Sequence, residues 1–134
     1  MRSIYIPQKR KLLLNAELTD VQRAFQLGKE LGFSSLGLVD RANTSSLIRV
    51  GNFEEVLNHF KANYFSAALL INKTTFIEDM ETFLNRPTWD GEAITKLIVK
   101  YQASPEMLLQ RMTNILPEYF ESFNTKPSLR VPSL

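Results

Sequence analysis

Between Asn52 and Ile71 apolar residues recur at steps of three and four: Phe53, Val56, Leu57, Phe60, Tyr64, Ala67 and Ile71, with Glu54, Glu55 and Lys61 off that stripe. The spacing describes an amphipathic helix with a broad apolar face, expected to point into the core. Asn52 and Glu55 stand in capping-box spacing, which fixes its start. The stretch TDVQRAFQLGKELGF predicts a second core helix, with Thr19 and Gln22 in the same spacing and Val21, Ala24, Phe25, Gly28, Leu31 and Gly32 on one face. Gly28 and Gly32 cost helix propensity, so their expected use is a close crossing against another helix or a sheet. The run GKELG has too few glycines for a phosphate loop and lies inside the helical pattern, not between a strand and a helix.

Ahead of these helices, Ile4 and Ile6 alternate, Pro7 follows, and Lys9 to Lys11 separate them from the triplet Leu12 to Leu14. Two short strands joined by a basic turn account for this, although the triplet also fits a strand buried on both faces. Three charges between apolar runs read as a solvated turn before they read as an anion or nucleic-acid contact, which needs a larger patch or a reading element. Leu36, Leu38 and Val39 either extend the preceding helix or form an edge strand, and Asp40 to Ser46 has loop composition. Further on, Thr75 with Glu78 is expected to cap a short helix carrying Phe76, Met80, Phe83 and Leu84, stopped by Pro87. Another helix is expected from Thr88 through Tyr101, with Ile94, Leu97, Ile98 and Tyr101 inward. Ser104 and Pro105 then start a helix bearing Met107, Leu108, Arg111, Met112 and Ile115 that ends at Pro117. These last two do not read as a helix-turn-helix, because the second presents core-like residues where base contacts would be needed. The expected class is α+β, a mainly helical small domain with a short N-terminal β-sheet.

Composition narrows the chemistry. At 134 residues the chain is sized for one core, here placed over residues 1–121, with 122–134 as a flexible tail or linker start. The absence of cysteine excludes disulfides, thiol nucleophiles and cysteine-bound metal and suits a cytoplasmic protein. No apolar run reaches the roughly 20 residues of a membrane span. His59 is the only histidine, so no two-histidine metal centre can form. With Glu55 and Asn63 it makes a polar strip at helical spacing, and a structural histidine at the core rim, a ligand contact and a metal ligand are the readings in that order. Glu78, Asp79 and Glu81 read as a solvated helix start. The pairs Ser34-Ser35 and Ser45-Ser46 have no base near them in sequence. Nine Phe, four Tyr and one Trp leave Phe33, Tyr64, Phe65, Trp89 and Tyr101 hard to place on one core, so a concave apolar site or an oligomer surface stands beside plain core packing.

Two stretches carry a family resemblance. Residues 25–33, FQLGKELGF, and residues 62–70, ANYFSAALL, resemble the ImmA/IrrE-like metallopeptidase family, especially its peptidase-like domain in Cro/repressor-type helix-turn-helix regulators of the short-chain fatty acyl-CoA regulator group. That family carries HExxH on its first core helix and an AN-x-FA-x-x-LL segment later. The chain is also similar to the regulator subgroup in VLNHFKANYFSAALL, in the tryptophan-containing loop and in YQASPEMLLQRMTNILPEYF. The resemblance puts Lys29 and Phe33 where the two histidines belong, keeps Glu30 at the general-base position, and puts His59 where an acidic third ligand is expected.

The resemblance implies a zincin-like but degenerate core. Two imidazoles on one helical face hold zinc in the peptidases while the glutamate activates its water. A lysine ammonium repels the ion and a phenylalanine has no lone pair to offer. No catalytic residue, metal or cofactor is therefore expected. The implied role is a non-catalytic regulatory domain of a transcriptional regulator, ligand-sensing or dimerising. Its vestigial cleft would be lined by Lys29, Glu30, Phe33, His59 and Asn63 and would accept a short-chain acyl-CoA or related small acyl metabolite. A homo-oligomer is expected, with no membrane contact, and with DNA reached only through a separate N-terminal domain outside this chain. The alternatives are a structural or protein-interaction module with a closed cleft, and a metallopeptidase with an unusual ligand set.

Overall fold

A computed structural model describes residues 1–42 and 51–124. It divides into two compact units, Met1–Leu70 and Ile71–Leu134. The loop expected over Asp40 to Ser46 and the tail expected over 122–134 fall largely outside the described residues. The chain is mainly helical with one short antiparallel sheet, the α+β class that the pattern predicts.

In the first unit, strands β1 (Ser3–Ile6) and β2 (Lys11–Leu14) pair antiparallel in the register Ser3 to Leu14 and Ile6 to Lys11. The basic turn between them is a short 3-10 segment over Pro7–Lys9, closed by Arg10 in the left-handed region. Helix α1 (Asp20–Ser35) begins with the predicted box: the Gln22 amide donates to the Thr19 hydroxyl, and the Thr19 amide donates to Gln22 Oε1. The sheet meets this helix where Ser3 Oγ donates to Gln26 Oε1 at 3.0 Å. The end of α1 settles the ambiguity over Leu36 to Val39 against both sequence alternatives. Gly37 takes φ +61°, and the Leu38 amide reaches back to the Phe33 carbonyl at 2.9 Å. That left-handed turn closes the helix and takes up carbonyls its last turn leaves open.

Helix α2 (Phe53–Leu70) crosses α1 at very short range. A Cβ on Gly28 would lie 2.3 Å from Ser66 Oγ, and one on Gly32 would lie 3.2 Å from the Ala62 Cα. Both glycines thus sit in the close crossing that their spacing suggested, tightest at Gly28. Ser66 is fully buried in this seam and its hydroxyl donates to the Phe25 carbonyl at 2.8 Å. The Glu55 amide donates to Asn52 Oδ1 as the capping pattern predicts, while the Glu55 carboxylate accepts from Gly51, one residue earlier than a strict box.

The face that α2 buries is only partly the expected one: of the apolar stripe, Ala67 and Ile71 are fully buried and Leu57 is half-buried, but the large aromatics are not. Its buried residues are Asn58, His59, Ala62, Ser66 and Ala67, whereas Phe53 (76%), Phe60 (56%), Tyr64 (44%) and Val56 lie exposed. Leu31 of α1, assigned inward by periodicity, is exposed as well. The reason is steric: only a face of small side chains lets two helix backbones meet at the Gly28 and Gly32 positions, so the bulky stripe is turned away.

The second unit holds α3 (Lys73–Leu84), α4 (Gly91–Lys100) and α5 (Pro105–Asn124). Asn72 caps α3 by accepting from the Thr75 amide, so the helix starts earlier than the Thr75 and Glu78 spacing implied. Asp90 caps α4 through the Glu92 and Ala93 amides, which moves that start from Thr88 to Gly91. Ser104 and Pro105 begin α5 as predicted, with the Met107 amide donating to Ser104 Oγ. Pro117 does not end α5, which runs on to Asn124. The proline is exposed, so water can satisfy the carbonyl whose helical donor is missing. The unit is cored by Ile71, Phe76, Met80, Phe83, Met107, Leu108 and Ile115. Buried Arg111 donates from Nε to the Ile71 carbonyl at 3.1 Å. Phe76 packs edge-on to Tyr101, whose hydroxyl and the Lys100 ammonium both donate to Asp79 Oδ2. Burial works against the Asp79 charge, but those two donors hold its carboxyl below the usual carboxylate range, while burial and the Asp79 carboxylate push the Tyr101 phenol up.

Candidate functional site

Helix geometry fixes what can meet on the flank of the α1 and α2 seam. Lys29 and Phe33 are four residues apart and so lie one above the other on α1. His59 and Asn63 stand in the same relation on α2. Phe33 is 3% exposed and His59 5%, and their rings meet edge to face with centroids 5.0 Å apart. Close packing at Gly32 and Ala62 thus brings the second expected histidine position, now phenylalanine, against the only histidine of the chain.

The centre of the cluster is a residue that the sequence did not single out. Arg41, beyond the turn that closes α1, lays its guanidinium 3.9 Å from the Phe33 ring centroid and 4.3 Å from that of Tyr5 on β1. Its Nη1 donates to both carboxylate oxygens of Glu30 at 2.9 Å. The pair is largely shielded, with the Arg41 side chain 14% exposed. Glu30 is therefore held as the partner of an internal cation. One signal was available: a lone arginine directly after the Gly37 turn, within reach of a helix that carries an otherwise unpaired glutamate.

Lys29 carries the second charge. No hydrogen bond or ion pair holds its ammonium among the described residues. Burial, then the neighbouring charges of Arg41 and Arg2, bring its pKa down to about 8, with Glu30 opposing. His59 is also held below its ordinary value, by burial first and then by Lys29 and Arg41, against a hydrogen bond to the Ala42 backbone and the charge of Glu55. Its Nε2 is the buried nitrogen without a partner, so Nδ1 takes the Ala42 bond and Nε2 keeps its lone pair. Asn58 donates from Nδ2 to the Asp40 carbonyl at 2.9 Å, while its Oδ1 is buried and unpartnered. Of the five expected cleft residues, Lys29, Glu30, Phe33 and His59 are joined through contacts or charge around Arg41. Asn63 sits one turn along from His59 with its own Oδ1 buried and unpartnered.

These residues do not fit a zinc ion. Both Glu30 oxygens are taken by Arg41, Phe33 offers no donor, and the lone pair on His59 Nε2 faces a field set by Lys29 and Arg41. A dication there would meet like charge and find one nitrogen ligand where tetrahedral sites use three or four protein groups. Among the described residues no group of three or more His, Cys, Asp or Glu side chains is placed to hold a metal.

The aromatic residues left unassigned divide between roles. Phe33 is core, Phe65 and Tyr101 are half-buried, and Tyr64 and Trp89 are exposed. Tyr64 and Phe65, with Leu36, Phe60 and Ala68, line an apolar groove on the first unit. Among the described residues no helix is long and apolar enough to cross a membrane.

The flank of the α1 and α2 seam thus carries a glutamate bonded through both oxygens to a buried arginine, beside a lysine, a phenylalanine and a histidine. The model of the IrrE N-terminal-like domain family, Peptidase_M78, matches residues 2–113, and the chain belongs to that family. No relative among the curated proteins and no solved structure matches it.

Proposed function

We propose that this chain is a non-catalytic regulatory domain of a cytoplasmic transcriptional regulator, in which the former peptidase cleft senses a small acyl metabolite such as a short-chain acyl-CoA. The observation that carries this reading is the Glu30–Arg41 pair on the Phe33 ring. A carboxylate bonded through both oxygens to a guanidinium is a poor general base, because the guanidinium occupies the lone pairs that would take a proton. The unpartnered polar atoms on His59, Asn58 and Asn63 support a ligand role for the same flank, since buried polar groups are normally paired. Self-association belongs to the proposal, with a second copy of the chain on the exposed face of α2. Phe53, Val56, Phe60, Tyr64 and nearby Leu36 are all exposed, and a contiguous apolar patch of this kind marks an interaction surface.

Calorimetric titration of the chain with acetyl-, propionyl- and butyryl-CoA is expected to give saturable heat; no heat from any of them overturns the sensory reading. Sedimentation over a concentration series is expected to show a dimer, and a monomer throughout removes the self-association. A second reading, a protein-interaction module with a closed cleft, is favoured by the near-complete burial of Phe33 and His59. It predicts the dimer without the heat.

A further inference from the structure

Arg41 and Arg2 both act on Lys29, with Glu30 opposing them, and Lys29 and Arg41 both act on His59, with Glu55 opposing from the start of α2. Glu55 is already engaged by the Gly51 amide and Glu30 by Arg41 Nη1. Among the described residues Lys29 has no carboxylate partner, although holding an unpaired ammonium in a desolvated position is costly. Arg41 is also only partly used. Glu30 bonds Nη1, while Nε is buried with no acceptor, and the edge that includes Nε is one a guanidinium uses to grip a carboxylate or phosphate with two parallel bonds. The rings of Phe33 and Tyr5 fix the plane of that edge.

We infer that this cluster is an oxyanion site, in which the Lys29 ammonium and the free edge of Arg41 take the carboxylate or phosphate group of a small ligand, with Arg2 adding to the field. This deepens the sensory reading and rests on it. The ligand supplies the negative charge that the fold leaves out. His59 adapts to it: with Nδ1 bound to the Ala42 backbone, Nε2 can accept from a protonated phosphate oxygen, or take a proton and donate to an ionised group. Bound charge also offsets the repulsion among the cations, so affinity falls as salt rises.

The test is calorimetry on the intact chain at pH 7 and low salt, titrated separately with sodium phosphate and sodium butyrate, with sodium chloride at matched ionic strength as the blank. Saturable binding of one of the two anions is expected, and which one binds tells a phosphate-bearing ligand from a carboxylate. Lys29→Met should weaken it by about tenfold or more and Arg41→Lys, which keeps charge but loses the fork, by a smaller factor. Lys96→Met, on an exposed lysine of α4, should leave it unchanged. Circular dichroism confirms that each variant is folded, and Lys29→Gln substitutes for any Lys29→Met protein that is not. No saturable binding of either anion, or equal binding by wild type and the folded Lys29 variant, overturns the oxyanion site. Acyl-CoA heats that persist unchanged in Lys29→Met would overturn it too, while leaving the sensory reading in place.

Discussion

One face of α2 carries large apolar residues and the other mostly small and polar ones, and it is the second that is buried. The large apolar residues, Phe53, Val56, Phe60 and Tyr64, stand in solvent, while the face carrying Asn58, His59, Ala62 and Ser66 is buried against α1. Periodicity alone ranks the first face as core, because burial of large apolar area is the dominant favourable term in folding. The pairing of glycines on α1 with small residues on α2 reverses that ranking, since backbones in near contact gain dispersion along their whole length and leave no room for a phenylalanine. Helix partners are thus chosen by shape as well as by hydropathy. A face made of small and polar residues can be the buried one when its partner carries glycine at matching positions.

The sharpest way to break this comparison is to enlarge the buried face. Ala62→Leu places a branched side chain where the α2 backbone already meets the position of a Gly32 Cβ at 3.2 Å. A loss of about 3 kcal/mol or more, or failure to fold, is expected in urea denaturation. Gly28→Ala should cost about 2 kcal/mol despite the better helix propensity of alanine, because the added carbon meets Ser66 Oγ at 2.3 Å. Ser66→Gly in the same chain should recover much of that loss, and a double-mutant cycle measures the coupling.

On the cleft flank the expected change has the opposite sign. Lys29→Met removes an unpaired cation, keeps the aliphatic stem and should stabilise the anion-free protein by roughly 1–2 kcal/mol at pH 7. The linked pH dependence follows from the same burial. Lys29 titrates near 8 in the folded chain against an ordinary 10.5, so the unfolded chain binds more protons in between, and stability rises with pH across that window. His59 is lowered from its ordinary 6.5, so stability falls as pH drops below about that value toward its folded pKa. Thermal melts from pH 5 to 10 should show both slopes, with Lys29→Met losing the alkaline one and His59→Gln the acidic one. The smallest effect belongs to the exposed face. Phe60→Ser should change unfolding free energy by no more than about 0.5 kcal/mol, against the 3–5 kcal/mol of a core phenylalanine, while weakening any dimer.

Much of the fold was legible because local chemistry carries local structure. The Thr19 and Gln22 box, the Ser104 and Pro105 start and the basic hairpin turn all lie where side-chain capping and strand alternation place them. The close crossing at Gly28 and Gly32 was legible too, since glycine inside a helix needs a compensating reason. What failed depended on contacts distant in sequence. Which face of α2 is buried is decided by α1, not by the α2 pattern. Pro117 reads as a stop until the surrounding helix is seen to continue through it. The site was half legible: the family resemblance placed Lys29, Glu30, Phe33 and His59 together, but nothing local announces that Arg41 returns across Phe33 to pair with Glu30.

With both Glu30 oxygens bonded to Arg41, Phe33 offering no donor, and Lys29 and Arg41 acting on His59, this flank should not take zinc. A zinc titration of the intact chain, read by calorimetry and by the metal retained after gel filtration, tests it most directly. The account predicts no saturable binding and no retained metal above trace, in the wild type and in His59→Ala alike. Zinc retained at one ion per chain and lost in His59→Ala would contradict it.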